Sequence, residues 1–322
     1  LQIANYILPL ITFPYMTRIL EPSGYGRMQF AQSFITYFVL IVNYGFDWSA
    51  TRKISLHRDD KKYISEIASA VWSAKVLLAA ICLLVILLFT LIVPDLQKNK
   101  ILIFILFGIV IGNILFPTWL LQGIEKLWNV ALINIFVKGG ITALIFLFIR
   151  NPDHIYKYAG LISAQWILSG VFAIVFVIKN NYLFFVHPSW VAMRRELIEG
   201  WTLFLSTGVV SLYTSGNPFI LGVISGQSAV GYFSVGDKIA RTAGGLGEPL
   251  LQALYPRFSR SVIRENEKYN KEVKQAIALH VIIGTIFSAF LFIGSSAIIK
   301  ILVGSDYVQS ISVLRIISFL PL

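Results

Sequence analysis

A chain of 322 residues with 57% hydrophobic and 13% charged side chains, a net charge of +11 and a mean hydropathy of +0.75 lies far outside the range of soluble domains. Its basic residues are scattered over many short loops, which argues against a nucleic-acid surface. The single cysteine, Cys82, rules out an internal disulfide and, set in an apolar run, reads as a buried spectator.

Apolar runs long enough to cross a bilayer, which takes about 20 residues each, recur at 1–19, 28–49, 71–93, 101–122, 128–149, 158–178, 201–224, 230–254, 276–299 and 308–322. These ten predicted spans define an all-α polytopic membrane protein. Both ends fall inside apolar helix and the first residue is not Met, so the sequence reads as part of a longer protein of twelve spans. No cleavable signal peptide is recognisable.

In chain order, the first span carries Pro14, and Glu21-Pro22-Ser23-Gly24 predicts the turn that ends it, with Gly26 allowing tight entry into the second span. Gly24-Tyr25-Gly26 lacks the preceding Thr-Val and pore helix of a potassium filter. The second span places Gln32, Thr36, Asn43 and Asp47 on one helical face. Lys75 and His280 each lie near one end of a span, where snorkelling to the headgroups competes with a functional role for Lys75. Lys138, followed by Gly139-Gly140, falls near mid-membrane, as do Lys238 and Arg241 in the eighth span; Arg315 lies in the incomplete tenth. A charge at that depth costs about 2.5–3.5 kcal/mol on insertion scales, so such groups persist where they face one another or a water-filled cavity. Asp237 and Arg241 can pair at i, i+4. Asp47, Asp237 and Glu248 are candidates for coupling to an ion gradient, since buried acids readily take protons.

An offset of 205 residues superposes one half of the chain on the other. Gly26 falls on Gly231, Arg52 on Arg257 and Lys75 on His280, while Pro14 falls beside Pro218. The polar stripe of the second span falls on Asp237, Arg241, Glu248 and Gln252. A parallel repeat of two six-helix halves follows, with an N-terminal lobe over 1–180, a linker over 181–200 and an incomplete C-terminal lobe over 201–322. Loops alternate between rich and poor in Lys and Arg, with 15 in one set and seven in the other. By the positive-inside rule the rich set, which includes 52–62, 126, 179–195 and 257–274, is cytoplasmic, and so is the N-terminus. The basic stretch 257–274 reads as a solvated segment against anionic headgroups.

The segments FPYMTRILEPSGYG (13–26), QS (32–33), NYGFDWSATRKIS (43–55), FPTWLLQGIEK (116–126), VGYFSVGDKIAR (230–241) and LYPRFSR (254–260) occur in order along the chain. Together they closely resemble the bacterial O-antigen and polysaccharide flippases, the Wzx family of the multidrug/oligosaccharidyl-lipid/polysaccharide exporter superfamily. The resemblance implies two six-helix lobes around a V-shaped, MATE-like central cavity. It implies transfer of an undecaprenyl-diphosphate-linked oligosaccharide from the cytoplasmic to the periplasmic leaflet of the bacterial inner membrane. It also implies cations that handle the diphosphate, carried here by Arg18, Lys138, Lys238 and Arg241, and it leaves room for ion coupling. Partners are then the polyprenyl-linked oligosaccharide, membrane lipids and other polysaccharide assembly proteins, with no nucleic acid, cofactor or metal. The alternatives are a multidrug/toxin-extrusion-type antiporter or a lipid II flippase of the same superfamily. The surplus of central cations over acids weighs against a cation exporter. A membrane enzyme is disfavoured because the four histidines lie in four separate regions.

Overall fold

A computed structural model describes residues 2–184, 186–245 and 267–319. These form helices and turns, and no strand occurs among the described residues. The helices are α1 (Gln2–Asn43), α2 (Phe46–Leu56), α3 (Lys61–Ile92), α4 (Pro94–Lys98), α5 (Lys100–Leu106), α6 (Gly108–Leu115), α7 (Thr118–Gly123), α8 (Leu127–Phe148), α9 (Ile155–Lys179), α10 (Trp190–Ser215), α11 (Asn217–Ser225), α12 (Gln227–Gly245), α13 (Glu267–Leu302) and α14 (Ser310–Ile317).

Five helical stretches among the described residues are long and apolar enough to cross a membrane: Lys61–Ile92, Lys100–Gly123, Leu127–Phe148, Pro152–Lys179 and Val281–Leu302. Their outer faces carry large apolar side chains, Phe136 being 75% and Ile293 79% exposed, while Thr17, Lys75, Asn99 and Glu196 are buried. Apolar groups outside and polar groups paired inside is the arrangement that hydrocarbon surroundings favour. Among the described residues, helices also form in the predicted spans 1–19, 28–49 and 201–224 and in the described parts of 230–254 and 308–322, where polar positions dilute the apolar character.

The chain divides into two compact units, one of Leu1–Phe13 with Arg27–Gly226, the other of Pro14–Gly26 with Gln227–Leu322. In the first, α6 packs along α9, α2 against α7, and α10 against α3 and α2. Its core gathers Phe46, Ile54, Val71, Trp119 and Leu120. Trp119 is fully buried, edge-on to Trp72 with ring centroids 5.7 Å apart, and the Trp72 indole donates to the Ile114 carbonyl at 3.0 Å.

The predicted turn at Glu21-Pro22-Ser23-Gly24 is a single backbone break at Glu21, after which the chain is helical again. Helix α1 runs without interruption through Pro14 and breaks at Glu21 (φ 57, ψ 171), the residue before Pro22. Proline disfavours the α region in its predecessor and is itself well placed at the first position of a helix, so the break falls where that local conflict is greatest. Gly24-Tyr25-Gly26 is therefore helical, and Gly26 serves a close crossing rather than a turn.

That crossing lies within the second unit. A Cβ on Gly26 would run into the backbone of Gln227, and a Cβ on Gly231 into the backbone of Pro22. Both pairs obey the 205-residue offset read from the sequence: 22 matches 227, and 26 matches 231. The contact is reciprocal, as across a two-fold axis. Around it, the fully buried Tyr307 donates its hydroxyl to the Thr17 carbonyl at 3.0 Å, and the Ser310 hydroxyl donates to the Tyr232 carbonyl at 2.9 Å.

Substituting Gly231→Ala is expected to lower the melting temperature and folded yield of the detergent-purified full-length protein, by at least the ~1–3 kcal/mol of an overpacked core. Gly139→Ala is the control. Its Cβ meets nothing within 4 Å, so the variant should match wild type or gain up to about 1 kcal/mol of helix stability.

Candidate functional site

Polar side chains on these apolar helices concentrate in three places. The first is the elbow between α1 and α2, where Tyr44 (φ 46) and Gly45 (φ 79) both adopt left-handed backbone. Tyr44 reaches that conformation at a cost, and Gly45 without one. The bend brings α10 alongside, with the Tyr44 ring stacked on Phe204 at 4.8 Å and 12°. At its head Lys75, 1% exposed, donates from Nζ to the Asn43 side-chain oxygen at 3.0 Å. Asp47, half-buried in the first turn of α2, is the acid whose charge acts on this ammonium. Lys75 thus does not snorkel to the headgroups. Its stem runs inward among the core residues of α3 and its charge is met by the elbow.

The second is an ionic clasp between α2 and the first turns of α10. Lys53 donates to Glu196 at 2.7 Å and lies 2.6 Å from Glu199, which also accepts from Arg195 at 2.8 Å. Glu196 is 2% exposed; its Oε1 accepts the hydrogen bond from Lys53, and Oε2 has no hydrogen-bond partner among the described residues. Hydrogen bonds from Lys53 and then Arg195 hold the Glu199 carboxyl below its ordinary range. The chain leading into α10 is tied down as well. The Ser69 hydroxyl donates to the Val186 carbonyl at 2.7 Å, and the Phe184 amide donates to the Ser65 hydroxyl at 3.0 Å.

The third lies in the second unit. Arg241 grips Asp237 through its Nε, with both carboxylate oxygens at 2.8–2.9 Å, one helical turn apart on α12. Lys238, next to Asp237, is exposed. Arg18 donates to the Ile301 carbonyl in the last turn of α13, where helix carbonyls lack internal partners and the dipole attracts a cation.

The structure therefore joins Asp237 to Arg241, keeps Lys238 beside them, and holds Arg18 at a helix C-terminus. Lys138 is half-buried on α8, in the first unit. Glu248 lies outside the described residues. The sequence reading counted Lys53 only as loop charge and did not single out Glu196 or Glu199. The i, i+3 spacing of Glu196 and Glu199, and the i, i+4 spacing of Arg195 and Glu199, were visible; their partner from α2, 143 residues away from Glu196, was not.

Apolar outer faces, five membrane-crossing stretches and buried, paired polar groups define an all-helical polytopic membrane protein. Residues 1–262 match the family model described as polysaccharide biosynthesis protein, and the chain belongs to that family. It is 35% identical over 320 residues to a protein of Escherichia coli (strain K12) named "Putative O-antigen transporter", covering 99% of this chain and 77% of the relative. A Shigella dysenteriae protein of the same name is 31% identical over 319 residues, covering 99% of this chain and 79% of that one. No solved structure matches significantly. The resemblance seen in the sequence motifs is borne out by these comparisons.

Lys53→Ala would leave a buried, uncompensated Glu196 and is expected to destabilise the full-length protein by roughly 3–5 kcal/mol, read as a drop in melting temperature. Adding Glu196→Gln should restore part of the loss. Acid should act on the same contact. A carboxyl whose folded pKa is depressed contributes stability above its unfolded pKa and loses it as pH falls through the folded value. Wild-type stability should thus decline on acidification through and below the ordinary carboxylate range, and Glu199→Gln should flatten part of that decline.

Proposed function

We propose that this protein is a flippase that moves an undecaprenyl-diphosphate-linked oligosaccharide, an O-antigen repeat unit or a related surface polysaccharide precursor, across the bacterial inner membrane. The observation that carries this reading is similarity along 99% of the chain to two proteins named as O-antigen transporters. Those relatives are named as transporters rather than enzymes, which favours transport without covalent chemistry.

The physical task fits the sequence. A diphosphate stripped of water in hydrocarbon is prohibitively unstable, whereas cations on otherwise apolar helices replace its hydration while the polyprenyl tail stays in the bilayer. Lys138, Lys238 and Arg241 are the substrate-facing cations in this reading, with Arg18 supporting the end of α13. Asp47, Asp237 and Glu248 are the candidates for ion coupling. The lobes are those of the internal repeat, 1–180 and 201–322 joined by 181–200, and the reciprocal Gly26–Gln227 and Gly231–Pro22 approaches support such a duplication. Transport proceeds by alternating access around a cavity between the lobes, with the N-terminus and the basic loops in the cytoplasm. The Lys53–Glu196–Glu199 clasp joins the end of the second predicted span to the entry of the seventh. It therefore ties the linker 181–200 to the N-terminal lobe, within a single compact unit.

The test is restoration of surface polysaccharide in a strain that lacks its own flippase but carries the cognate sugar gene cluster. Full-length wild type should restore export. Lys138→Ala should reduce it at least about tenfold at matched membrane abundance. Arg241→Ala should do the same, and the swapped pair Asp237→Arg with Arg241→Asp separates pairing from substrate contact: it keeps the ion pair and should still fail. Failure of wild type in the cognate background would overturn the reading, and normal export by all three variants would overturn the cation assignment.

A further inference from the structure

The hairpin of α8 and α9 carries a groove of about 710 Å³ that the polar clusters above do not use. Its walls are apolar, among them Phe136, Val137 and Ile141 of α8 and Leu168, Phe172 and Val175 of α9; its polar lining residue is Asn129, at the start of α8. Gly140 leaves the floor open, since a Cβ there would meet nothing within 4 Å. Phe136 and Phe172 stand 75% and 53% exposed along its edges.

The mouth of the groove is charged. α8 begins and α9 ends at the same end of the hairpin, and each helix carries an exposed lysine there, Lys126 before α8 and Lys179 as the last residue of α9. At 100° per residue, Lys126 shares a helical face with Asn129, Ile133 and Gly140, and Lys179 shares one with Leu168, Phe172, Val175 and Phe176. Both cations therefore cap the faces that line the groove. Lys138 falls about 150° away on α8, on the opposite side. The groove extends about 16 Å along α9, from Lys179 to Leu168, and about 27 Å along α8, from Lys126 to Leu144.

We propose that this groove is a binding site for an anionic phospholipid, whose phosphate sits between Lys126, Lys179 and Asn129 and whose acyl chain lies along α8 and α9. Charge complementarity at the mouth selects an anionic headgroup over a zwitterionic one. The placement of Lys138, the cation assigned to the cargo, on the far face favours a membrane phospholipid over the cargo's polyprenyl tail. The site depends on these helices lying in a bilayer and not on the transport reading.

Native mass spectrometry of the full-length protein in detergent, titrated with phosphatidylglycerol or with phosphatidylcholine of identical chains, tests this directly. Wild type should retain phosphatidylglycerol in preference. Lys126→Gln with Lys179→Gln should lose that preference, by about fivefold per lysine given the attraction of a basic residue near an anionic surface. Gly140→Phe should weaken retention of both lipids by filling the floor. Circular dichroism and size exclusion confirm folding, and all three positions are exposed. Equal retention of the two lipids by wild type, or unchanged retention in both variants, would overturn the proposal. So would displacement of phosphatidylglycerol by an equimolar polyprenyl phosphate, which would assign the groove to the cargo's tail.

Discussion

The second unit is organised by the approach of two helix backbones at Gly26 and Gly231. No side chain can occupy either position, because the space is filled by the main chain of the other segment. In lipid there is no hydrophobic force between apolar helices, so association relies on van der Waals contact and interhelical hydrogen bonds, both of which need small residues at the crossing. With Pro14–Gly26 seated against α12 in this way, Tyr307 can reach the Thr17 carbonyl and Arg18 the end of α13. The break at Glu21 belongs to the same device. A continuous α-helix would carry Pro22 and Gly26 onto a different path, so the strained residue and the crossing specify each other.

A second constraint is that polar groups taken into these helices are costly unless met, and among the described residues the buried cations are met. Lys75 finds Asn43 and the charge of Asp47; Arg315 donates to the Ser295 hydroxyl at 3.0 Å; Asn99 receives Arg27 at 3.2 Å. Most of these partners come from another helix, so each pair fixes one element against another at the cost of desolvating both members. The clasp at Lys53 follows the same rule with less margin, because Glu196 is nearly as buried as Lys75 and rests on one cation. Such a contact is expensive to leave half-broken, because that strands a buried carboxylate without its cation.

The class of the protein was legible in composition, because hydropathy is carried by residues acting one at a time. The break near Pro22 was legible too, since proline constrains its own neighbour. What could not be read was which groups meet. The fate of Lys75 depended on an elbow formed by Tyr44 and Gly45 that turns Asn43 toward it, and the role of Gly26 depended on a partner 205 residues away. The clasp likewise joins α2 to α10 through charges that look, in one dimension, like ordinary solvated loop residues. Five spans stood out by apolarity alone; in others the polar positions, such as Asp237, Lys238 and Arg241 on α12, dilute the hydropathy that marks a span.

The hairpin of α8 and α9 shows how one element can serve two environments. Along α8, the residues at i, i+3, i+4 and i+7 from Asn129 to Leu144 form an apolar face open to the exterior, while Lys138 sits about half a turn round the helix. A cation on the lipid-facing side would have to snorkel some 15 Å to reach water from mid-membrane, beyond the length of its side chain. Placed on the other side, it can be met only by protein, water or an anionic ligand. The two lysines at the hairpin's mouth occupy the lipid-facing side and need no such protection, because they already stand at headgroup level. The sign and depth of each charge on this hairpin therefore follow from which solvent its face meets.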